Sequence, residues 1–178
     1  MSRTKYIPAL RFKWLTPLYD FFISITMPEK KIKQVLISDA NIYAGAKLLD
    51  FGCGTATLTI MVKQSSPEAK VTGIDIDTEI LDKATKKIKE EELDIFLLDY
   101  DGKHLPFQRN AFDRVISCLV FHHLDTDIKQ NMLAEIFRVL NKDGQLIVAD
   151  FGRSRSLVQR TLFNIIRSLD GFKSTDAN

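Results

Sequence analysis

The sequence contains few of the residues that mark disulfide-rich, zinc-binding or nucleic-acid-binding chains. It has 2 cysteines in 178 residues, and Cys53 and Cys118 lie far apart without a Cys-x-x-Cys spacing. A disulfide framework and a zinc site are therefore not expected, and no other metal site is predicted. The formal net charge is only +2, which is too small to indicate nucleic acid as the main partner.

Long apolar runs are also missing. The apolar stretch 18–27 is too short to cross a bilayer and contains Asp20, and no signal peptide is expected from the N-terminal residues. Hydrophobic residues make up 45% of the chain and charged residues 27%, which is typical of a soluble globular domain. We therefore predict one domain over residues 1–178, located in the cytoplasm.

The chain is organised around residues 45–60. An apolar run, 47–51, predicts a strand buried on both faces. It leads into a turn of small residues, 52–56, and then into an apolar helix. A strand, a small-residue turn and a helix form a pocket at the carboxyl end of an open α/β sheet. The glycines of the turn permit dihedral angles that other residues avoid, and they let a ligand approach the backbone.

Further apolar strands are predicted at residues 70–75, 95–98, 113–118 and 145–150, with amphipathic helices between them and a turn at 141–144. This alternation predicts a doubly wound parallel sheet. Three segments follow: a helical cap (1–44), a core (45–151), and a terminal helix with a tail (152–178). The second cap helix, from Glu29 to about Ala40, is expected to bury Ile32, Val35, Leu36 and Ile37 on one face.

The glycine turn lacks the dinucleotide fingerprint Gly-x-Gly-x-x-Gly, because its third glycine would fall at Thr57. Residues 50–56, Asp-Phe-Gly-Cys-Gly-Thr-Ala, instead resemble the first motif of class I S-adenosylmethionine-dependent methyltransferases, Asp-x-Gly-x-Gly-x-Gly, with Ala56 at the last glycine. Later stretches match the same family in the expected order, at 73–77, 99–107, 111–124 and 135–146. The alternative for the turn alone is a tight structural connection without a ligand.

The resemblance implies a Rossmann-like fold, S-adenosyl-L-methionine as cofactor and S-adenosyl-L-homocysteine as product. It assigns Asp75, at the end of the second strand, to the ribose hydroxyls and Ile76 to the adenine face, whereas Asp77 is better suited to capping the next helix. Thr78 is a second candidate for that cap. The cofactor-binding residues implied are Tyr19, Asp50, Gly52, Cys53, Gly54, Asp75, Ile76, Asp101, Gly102, Cys118 and Leu119.

Three of these assignments have alternatives. Asp101 matches the family position that accepts the adenine amino hydrogen and Gly102 the amide that donates to the ring, but Asp99 is a rival, and Asp101-Gly102 also suits a plain turn. Backbone near Cys118 and Leu119 is expected to meet the methionine end of the cofactor. Tyr19 either closes over the cofactor or packs in the core.

His122 and His123 follow the fourth strand in a Phe-His-His-Leu sequence that resembles small-molecule methyltransferases. Adjacent side chains point in different directions, so one of them at most faces the methyl group. A general-base role, which requires a pKa near neutrality, competes equally with a structural role in capping or packing.

The resemblance implies direct in-line displacement of the methyl group from the sulfonium by a small-molecule or lipid-like acceptor. The Asn/Asp-Pro-Pro-Tyr signature of amino-directed nucleic-acid methyltransferases is absent, since Cys118-Leu119-Val120-Phe121 stands there. One alternative is a truncated, methyltransferase-like cofactor-binding or scaffold protein without turnover. Another is a nicotinamide-dependent dehydrogenase, which the failed fingerprint disfavours.

The chain ends earlier than the family pattern. We predict strand order 3-2-1-4-5 without the usual strands 6 and 7, which leaves the apolar fifth strand at an edge of the sheet. Exposed apolar edges promote pairing, so we expect either pairing with another chain, as in a homodimer, or a shortened form of a longer protein.

Overall fold

The computed structural model describes residues 29–151. Within this range strands alternate with helices as the sequence pattern predicts. The helices are α1 (Glu29–Asp39), α2 (Thr57–Ser65), α3 (Thr78–Glu90), α4 (Thr126–Val139) and a 3-10 turn, Phe121–His123. The strands are β1 (Lys47–Phe51), β2 (Lys70–Asp75), β3 (Ile95–Asp99), β4 (Phe112–Cys118) and β5 (Leu140–Ala149). The predicted helices on either side of this range, and Tyr19, lie outside the described residues.

The strands form one parallel sheet in the order β3-β2-β1-β4-β5. This confirms the predicted fold and strand order. In the central strand, Leu49 lies beside Thr72 of β2 and Val115 of β4. Because all the strands are parallel, their carboxyl ends lie along one edge of the sheet, which is where such folds place their ligands.

The two faces of β1 are buried in different apolar clusters. Leu48 packs with Leu36 of α1 and Leu58 of α2, whereas Leu49 packs with Met132 and other residues of α4 on the opposite face. Helices therefore cover the sheet on both sides, which explains why four of the five residues of β1 are buried. Residues 30–151 form one compact unit, while the cap, core and tail division of the whole chain stays a prediction.

The expected apolar face of α1 differs from the observed one. Leu36 is buried as predicted, but Val35 is 59% exposed and Lys33 is buried instead. A lysine can bury its hydrocarbon stem against apolar neighbours, which a sequence pattern of apolar residues does not reveal. Within residues 29–151, no helix combines the length and apolar character that a membrane span requires.

Two local expectations were wrong. Thr78 does not cap α3, because Asp77 is the N-cap and its carboxylate accepts hydrogen bonds from the amides of Glu79 and Ile80. The turn expected at 141–144 lies inside β5 as an irregularity, where the register moves from Phe112 opposite Leu140 to Arg114 opposite Gln145. The local turn chemistry is present, since the Asp143 amide donates to Asn141 Oδ1 at 3.1 Å, but the sheet accommodates it as a bulge.

Candidate active site

The carboxyl edge of the sheet contains a cluster of left-handed backbone conformations. Gly52, Gly54 and Gly102 have φ values of 74°, 53° and 76°, and two residues with side chains, Ala56 and Leu119, share a φ of 59°. Such conformations are uncommon outside glycine and are frequent at functional sites. The turn after β1, the loop after β3 and the turn after β4 therefore all bend sharply at this edge.

The glycine turn is bonded to the end of β2. The amides of Gly52 and Cys53 both donate to the carbonyl oxygen of Ile74, at 2.9 and 3.0 Å. The amide of Gly54 donates to Asp75 Oδ2 at 2.8 Å. The backbone of the turn is thus fixed before any ligand arrives, while a Cβ added at Gly54 would meet nothing within 4 Å. That open space fits the close approach of a ligand to the turn.

Asp75 ends β2 at the position predicted for ribose recognition. Its second oxygen, Oδ1, accepts a hydrogen bond from the Asp77 amide at 3.1 Å. Since a carboxylate offers about four lone-pair positions, acceptor capacity remains for two hydroxyl groups. Asp77 itself caps α3, as the sequence indicates, and the ribose role of Asp75 stays a prediction.

Asp50 lies in β1, just before the turn, and its side chain is buried. It is 1% exposed, and its Oδ2 accepts a hydrogen bond of 2.6 Å from the hydroxyl of Thr59. Burial raises the pKa of Asp50 to about 7, although the Thr59 hydrogen bond and the charge of Lys33 oppose this shift. Asp50 can therefore influence a ligand through its charge and through the shape of the turn, but its carboxylate is not open to direct contact.

Cys53 contributes backbone rather than side chain to the turn. Its side chain is buried, and a Cβ added at Gly73 would lie 3.0 Å from its sulfur, so the thiol faces β2. Burial raises the pKa of the Cys53 thiol well above its ordinary value, and the nearby acids Asp50 and Asp75 raise it further. The thiol is consequently protonated and unreactive at neutral pH.

The residues predicted for adenine lie next to each other. Ile76 is 44% exposed at the end of β2, and a Cβ added at Gly102 would lie 3.8 Å from its Cγ2. Asp101 Oδ1 accepts hydrogen bonds from the amides of Lys103 and His104, at 2.8 and 2.9 Å. These two hydrogen bonds hold the pKa of Asp101 below its usual value. Asp101 therefore forms the turn that its sequence suggested, and one oxygen remains outside that turn.

Asp99 occupies a different position from Asp101. It is the residue opposite Asp75 in the register of β2 and β3, and it is exposed to solvent. Asp99 thus ends β3 and Asp101 follows it at the carboxyl edge of the sheet, and the choice between them for the adenine amino group stays a prediction.

The turn after β4 packs directly on the glycine turn. A Cβ added at Gly52 would come within 2.4 Å of Val120 Cγ2, so only glycine fits there. Cys118 lies opposite Ala149 of β5, and the Leu119 amide donates to the Ala149 carbonyl oxygen at 2.8 Å. Leu119 and Val120 are thereby held beside the predicted cofactor turn, next to the 3-10 turn that carries the two histidines.

His122 pairs with an acid that the sequence did not single out. Its Nδ1 lies 2.8 Å from Asp150 Oδ1, and its backbone amide donates to Asp150 Oδ2 at 3.2 Å. The Phe151 amide also donates to Asp150 Oδ1, at 2.7 Å. A carboxylate bonded to Nδ1–H fixes the neutral tautomer in which Nε2 accepts a proton. The one available sequence signal for Asp150 was its position directly after β5, at the carboxyl edge.

His123 has a different environment. Its ring centroid lies 3.8 Å from that of His122, but the residue as a whole is exposed to solvent. Partial burial of its ring lowers the pKa of His123, and the charge of His122 lowers it further. No carboxylate hydrogen bond to the His123 ring is seen within residues 29–151, so His122 is the better oriented of the two.

Comparison with known proteins gives consistent matches. The profile of the family described as "Methyltransferase domain" matches residues 48–144. The demethylmenaquinone methyltransferase of Lactobacillus johnsonii is 38% identical over 155 residues, covering 82% of this chain and 63% of that protein. The demethylmenaquinone methyltransferase of Listeria welshimeri is 29% identical over 157 residues, covering 86% of this chain and 66% of that protein. A solved SAM-dependent methyltransferase from Aquifex aeolicus aligns with a TM-score of 0.60 at 19% identity, covering 81% of each chain.

The strand order, the glycine turn and the acid that ends β2 together define the class I methyltransferase fold. With the family profile matching residues 48–144, the chain belongs to the methyltransferase-domain family. It spans 63% and 66% of the lengths of the two curated relatives named above.

Proposed function

We propose that the protein transfers a methyl group from S-adenosylmethionine to a small, lipid-like acceptor. The observation that carries this proposal is the placement of a hydrogen-bonded His122–Asp150 pair at the same sheet edge as the glycine turn and Asp75. The glycine turn can hold a cofactor, and the histidine can take a proton from a methyl acceptor. Their position at one edge of the sheet suits a reaction between the two bound molecules. The family membership and the two relatives, both demethylmenaquinone methyltransferases, support the same conclusion.

The residues present fit the proposed cofactor. The open space above Gly54 accommodates a ligand against the backbone, Asp75 retains acceptor capacity for ribose hydroxyls, and exposed Ile76 offers an apolar surface to a purine ring. When bound, the cofactor supplies an electrophilic methyl carbon on a sulfonium leaving group. The protein's own contribution is to align an acceptor with that carbon, and alignment of this kind is worth about 7–11 kcal/mol in favourable cases.

His122 is the proposed general base. Asp150 accepts from Nδ1–H and leaves Nε2 free to remove a proton from an acceptor hydroxyl, which makes the acceptor a stronger nucleophile. The side chains of His122 and Asp150 are 25% and 14% exposed, so both are sheltered but reachable from the site. Phe151 packs edge-on to His122, with ring centroids 4.7 Å apart, and limits the orientations that the imidazole can adopt.

The names of the two relatives make a hydroxylated quinone-type ring the first acceptor class to test. Removal of a proton from a ring hydroxyl increases electron density at the neighbouring ring carbon, which would then form a bond to the methyl carbon as the bond between that carbon and the sulfonium sulfur breaks. Loss of the proton from that carbon restores the aromatic ring, and the displaced thioether is released. The base role assigned to His122 serves this chemistry and also simple O-methylation.

The experiment has two arms. Calorimetry with the full chain should detect S-adenosylmethionine and S-adenosylhomocysteine but not NAD. Incubation with methyl-labelled S-adenosylmethionine and a reduced demethylated naphthoquinone should transfer label to the quinone and release S-adenosylhomocysteine. Failure to bind the cofactor would refute the proposal.

The second candidate function is a methyltransferase-like cofactor-binding or scaffold protein. The family membership and the names of the two demethylmenaquinone methyltransferase relatives favour turnover over this alternative. The alternative predicts cofactor binding without release of S-adenosylhomocysteine for any acceptor, so the two arms of the experiment distinguish the two functions.

A further inference from the structure

The loop between β3 and β4 is held by one face of α4. Asn131, Glu135 and Arg138 lie along that face at helical spacing, and each bonds the loop backbone. Asn131 Nδ2 donates to the Lys103 carbonyl oxygen at 2.8 Å, and Glu135 Oε2 accepts from the Leu105 amide at 2.8 Å. The contacts of the helix are therefore made to backbone atoms and fix the path of the chain.

Arg138 makes the largest share of these contacts. Its guanidinium donates to the carbonyl oxygens of Phe107 and Leu105, at 2.8 and 2.9 Å. It also bonds both carboxylate oxygens of Glu135, at 2.7 and 2.8 Å. The planar, rigid fork of donors permits this combination, which a lysine cannot reproduce.

Glu135 and Arg138 are both charged at neutral pH. The hydrogen bond from Arg138 lowers the pKa of Glu135 to about 2, with a further contribution from the Leu105 amide. The side chain of Leu105 is buried in the same apolar cluster as Met132 of α4. The loop is thus fixed twice, by an apolar side chain in the core and by a charged pair on its backbone.

The other end of this loop carries the residues predicted to bind adenine. Asp101 bonds the amides of Lys103 and His104, and the backbone of Gly102 lies close to Ile76. The Lys103 carbonyl oxygen is held by Asn131, so the turn at Asp101 and Gly102 is connected to α4 through two successive hydrogen bonds. A displacement of residues 103–107 would move the Asp101 carboxylate relative to Ile76.

We propose that Glu135 and Arg138 are positioning residues that set the protein's selectivity for an adenine base, by holding Asp101 and Gly102 at the purine edge. This inference rests on the proposed function. Both would act through the loop backbone, because their hydrogen bonds go to Leu105, to Phe107 and to each other. The competing explanation is that the pair only attaches the loop to the helix and contributes to stability.

Selectivity for the base separates the two explanations. The probes are S-adenosylhomocysteine and S-inosylhomocysteine, which differ at the purine 6-position, where an amino group is replaced by an oxo group. A site that accepts the adenine amino hydrogen binds the inosine analogue more weakly, because a carboxylate then faces an oxygen. The measured quantity is the dissociation constant of S-inosylhomocysteine divided by that of S-adenosylhomocysteine, determined for each variant of the full chain.

Arg138→Met should reduce this ratio at least fivefold, and Arg138→Lys should restore part of it. Glu135→Gln keeps the size of the side chain and an acceptor for the Leu105 amide, so it provides a milder variant with an intermediate ratio. Lys129→Met is the matched control, because it removes a positive charge from the same helix without a side-chain bond to the loop. Its ratio should equal that of the unchanged protein.

The outcomes are distinct. The inference is overturned if Arg138→Met and Glu135→Gln leave this ratio unchanged, including the case in which the affinities for both probes fall by the same factor. The pair would then have a stabilising role only. If the unchanged protein binds neither probe, the proposed function fails and this inference fails with it. Thermal unfolding of each variant identifies any that is not folded at the temperature of the measurement.

Discussion

Gly54 and Asp75 are joined by a hydrogen bond of 2.8 Å from the glycine amide to Asp75 Oδ2. This bond connects the turn after β1 to the end of β2, although the two residues are 21 positions apart in the chain. The same carboxylate therefore fixes the turn and remains available to a ligand. A substitution of Asp75 affects both the hydrogen bond to the Gly54 amide and the proposed binding of a ligand. A replacement that still accepts the amide hydrogen bond separates the two effects.

Asp75→Ala should weaken S-adenosylmethionine binding by about 1–3 kcal/mol, because charge-assisted hydrogen bonds to the ribose are lost. Asp75→Asn retains an acceptor for the Gly54 amide and should lose less. Calorimetry on both variants gives the comparison, with Asp82→Ala as the control since Asp82 is an exposed acid on α3. An unchanged affinity in Asp75→Ala would refute the ribose assignment.

Two glycines of the turn should respond differently to alanine. Gly54→Ala places its Cβ in open space, and the left-handed backbone costs about 1–2 kcal/mol, so the fold should survive. Cofactor binding should nevertheless fall, because the new methyl group occupies the space that we assign to the ligand. Gly52→Ala meets Val120 at 2.4 Å and should lower the unfolding temperature substantially. Binding by Gly54→Ala at the affinity of the unchanged protein would mean that the turn has a structural role only.

The alternation of strands and helices could be predicted because it follows from local patterns, whereas the strand order was implied by the resemblance to the methyltransferase family. Apolar runs alternate with amphipathic helices, and the acid Asp75 directly follows a strand. The residue types at 141–144 predict a turn, but these residues lie in β5 and form a bulge in its pairing with β4. Pairing between strands is a long-range effect, and a local sequence window does not contain it.

The contacts that complete the site could not be predicted for the same reason. Asp150 meets His122 across 28 positions of the chain, and Arg138 meets Leu105 across 33. The left-handed conformation of Leu119 carries no signal in its residue type, because leucine rarely adopts it. Such features depend on how separate elements pack, which composition and periodicity leave undetermined.

The histidine pair gives a prediction about turnover. His122→Ala and Asp150→Asn should each lower kcat by about 10²–10⁴-fold, the usual contribution of a general base, while the dissociation constant of S-adenosylmethionine stays the same. His123→Ala provides the comparison and should reduce kcat much less. Single-turnover kinetics and calorimetry measure the two quantities separately. Equal losses for both histidines, or loss of cofactor binding in either, would instead favour a structural role.

The fifth strand gives a prediction about association. Within residues 29–151, β5 is an outer strand that pairs with β4, and Val148 on it is 44% exposed. We expect the full chain to self-associate through the outer side of strand β5 in sedimentation experiments, because exposed apolar edge strands pair readily. Val148→Lys should weaken the association, while Gln145→Lys, an exposed polar position on the same strand, should do so less. A monomer at all concentrations, or a dimer unaffected by Val148→Lys, would contradict this expectation.

Buried Asp50 gives a prediction about pH. Its folded-state pKa is about 7, whereas an aspartate in an unfolded chain has a pKa of about 3.9. The folded protein therefore binds this proton more tightly, and the resulting stability is fully present below about pH 4. It is lost as the pH rises to about 7, by an amount on the order of 4 kcal/mol, and the loss levels off above that pH.

Asp50→Asn should remove this dependence, since an amide does not titrate and still offers an oxygen to the Thr59 hydroxyl. The free energy of unfolding in urea, measured for both proteins between about pH 5 and about pH 8, gives the comparison. Titrations common to both proteins cancel in the difference, including those of the histidines. The unchanged protein should lose stability relative to Asp50→Asn as the pH rises. A difference that stays constant across this range would show that Asp50 ionises normally despite its burial.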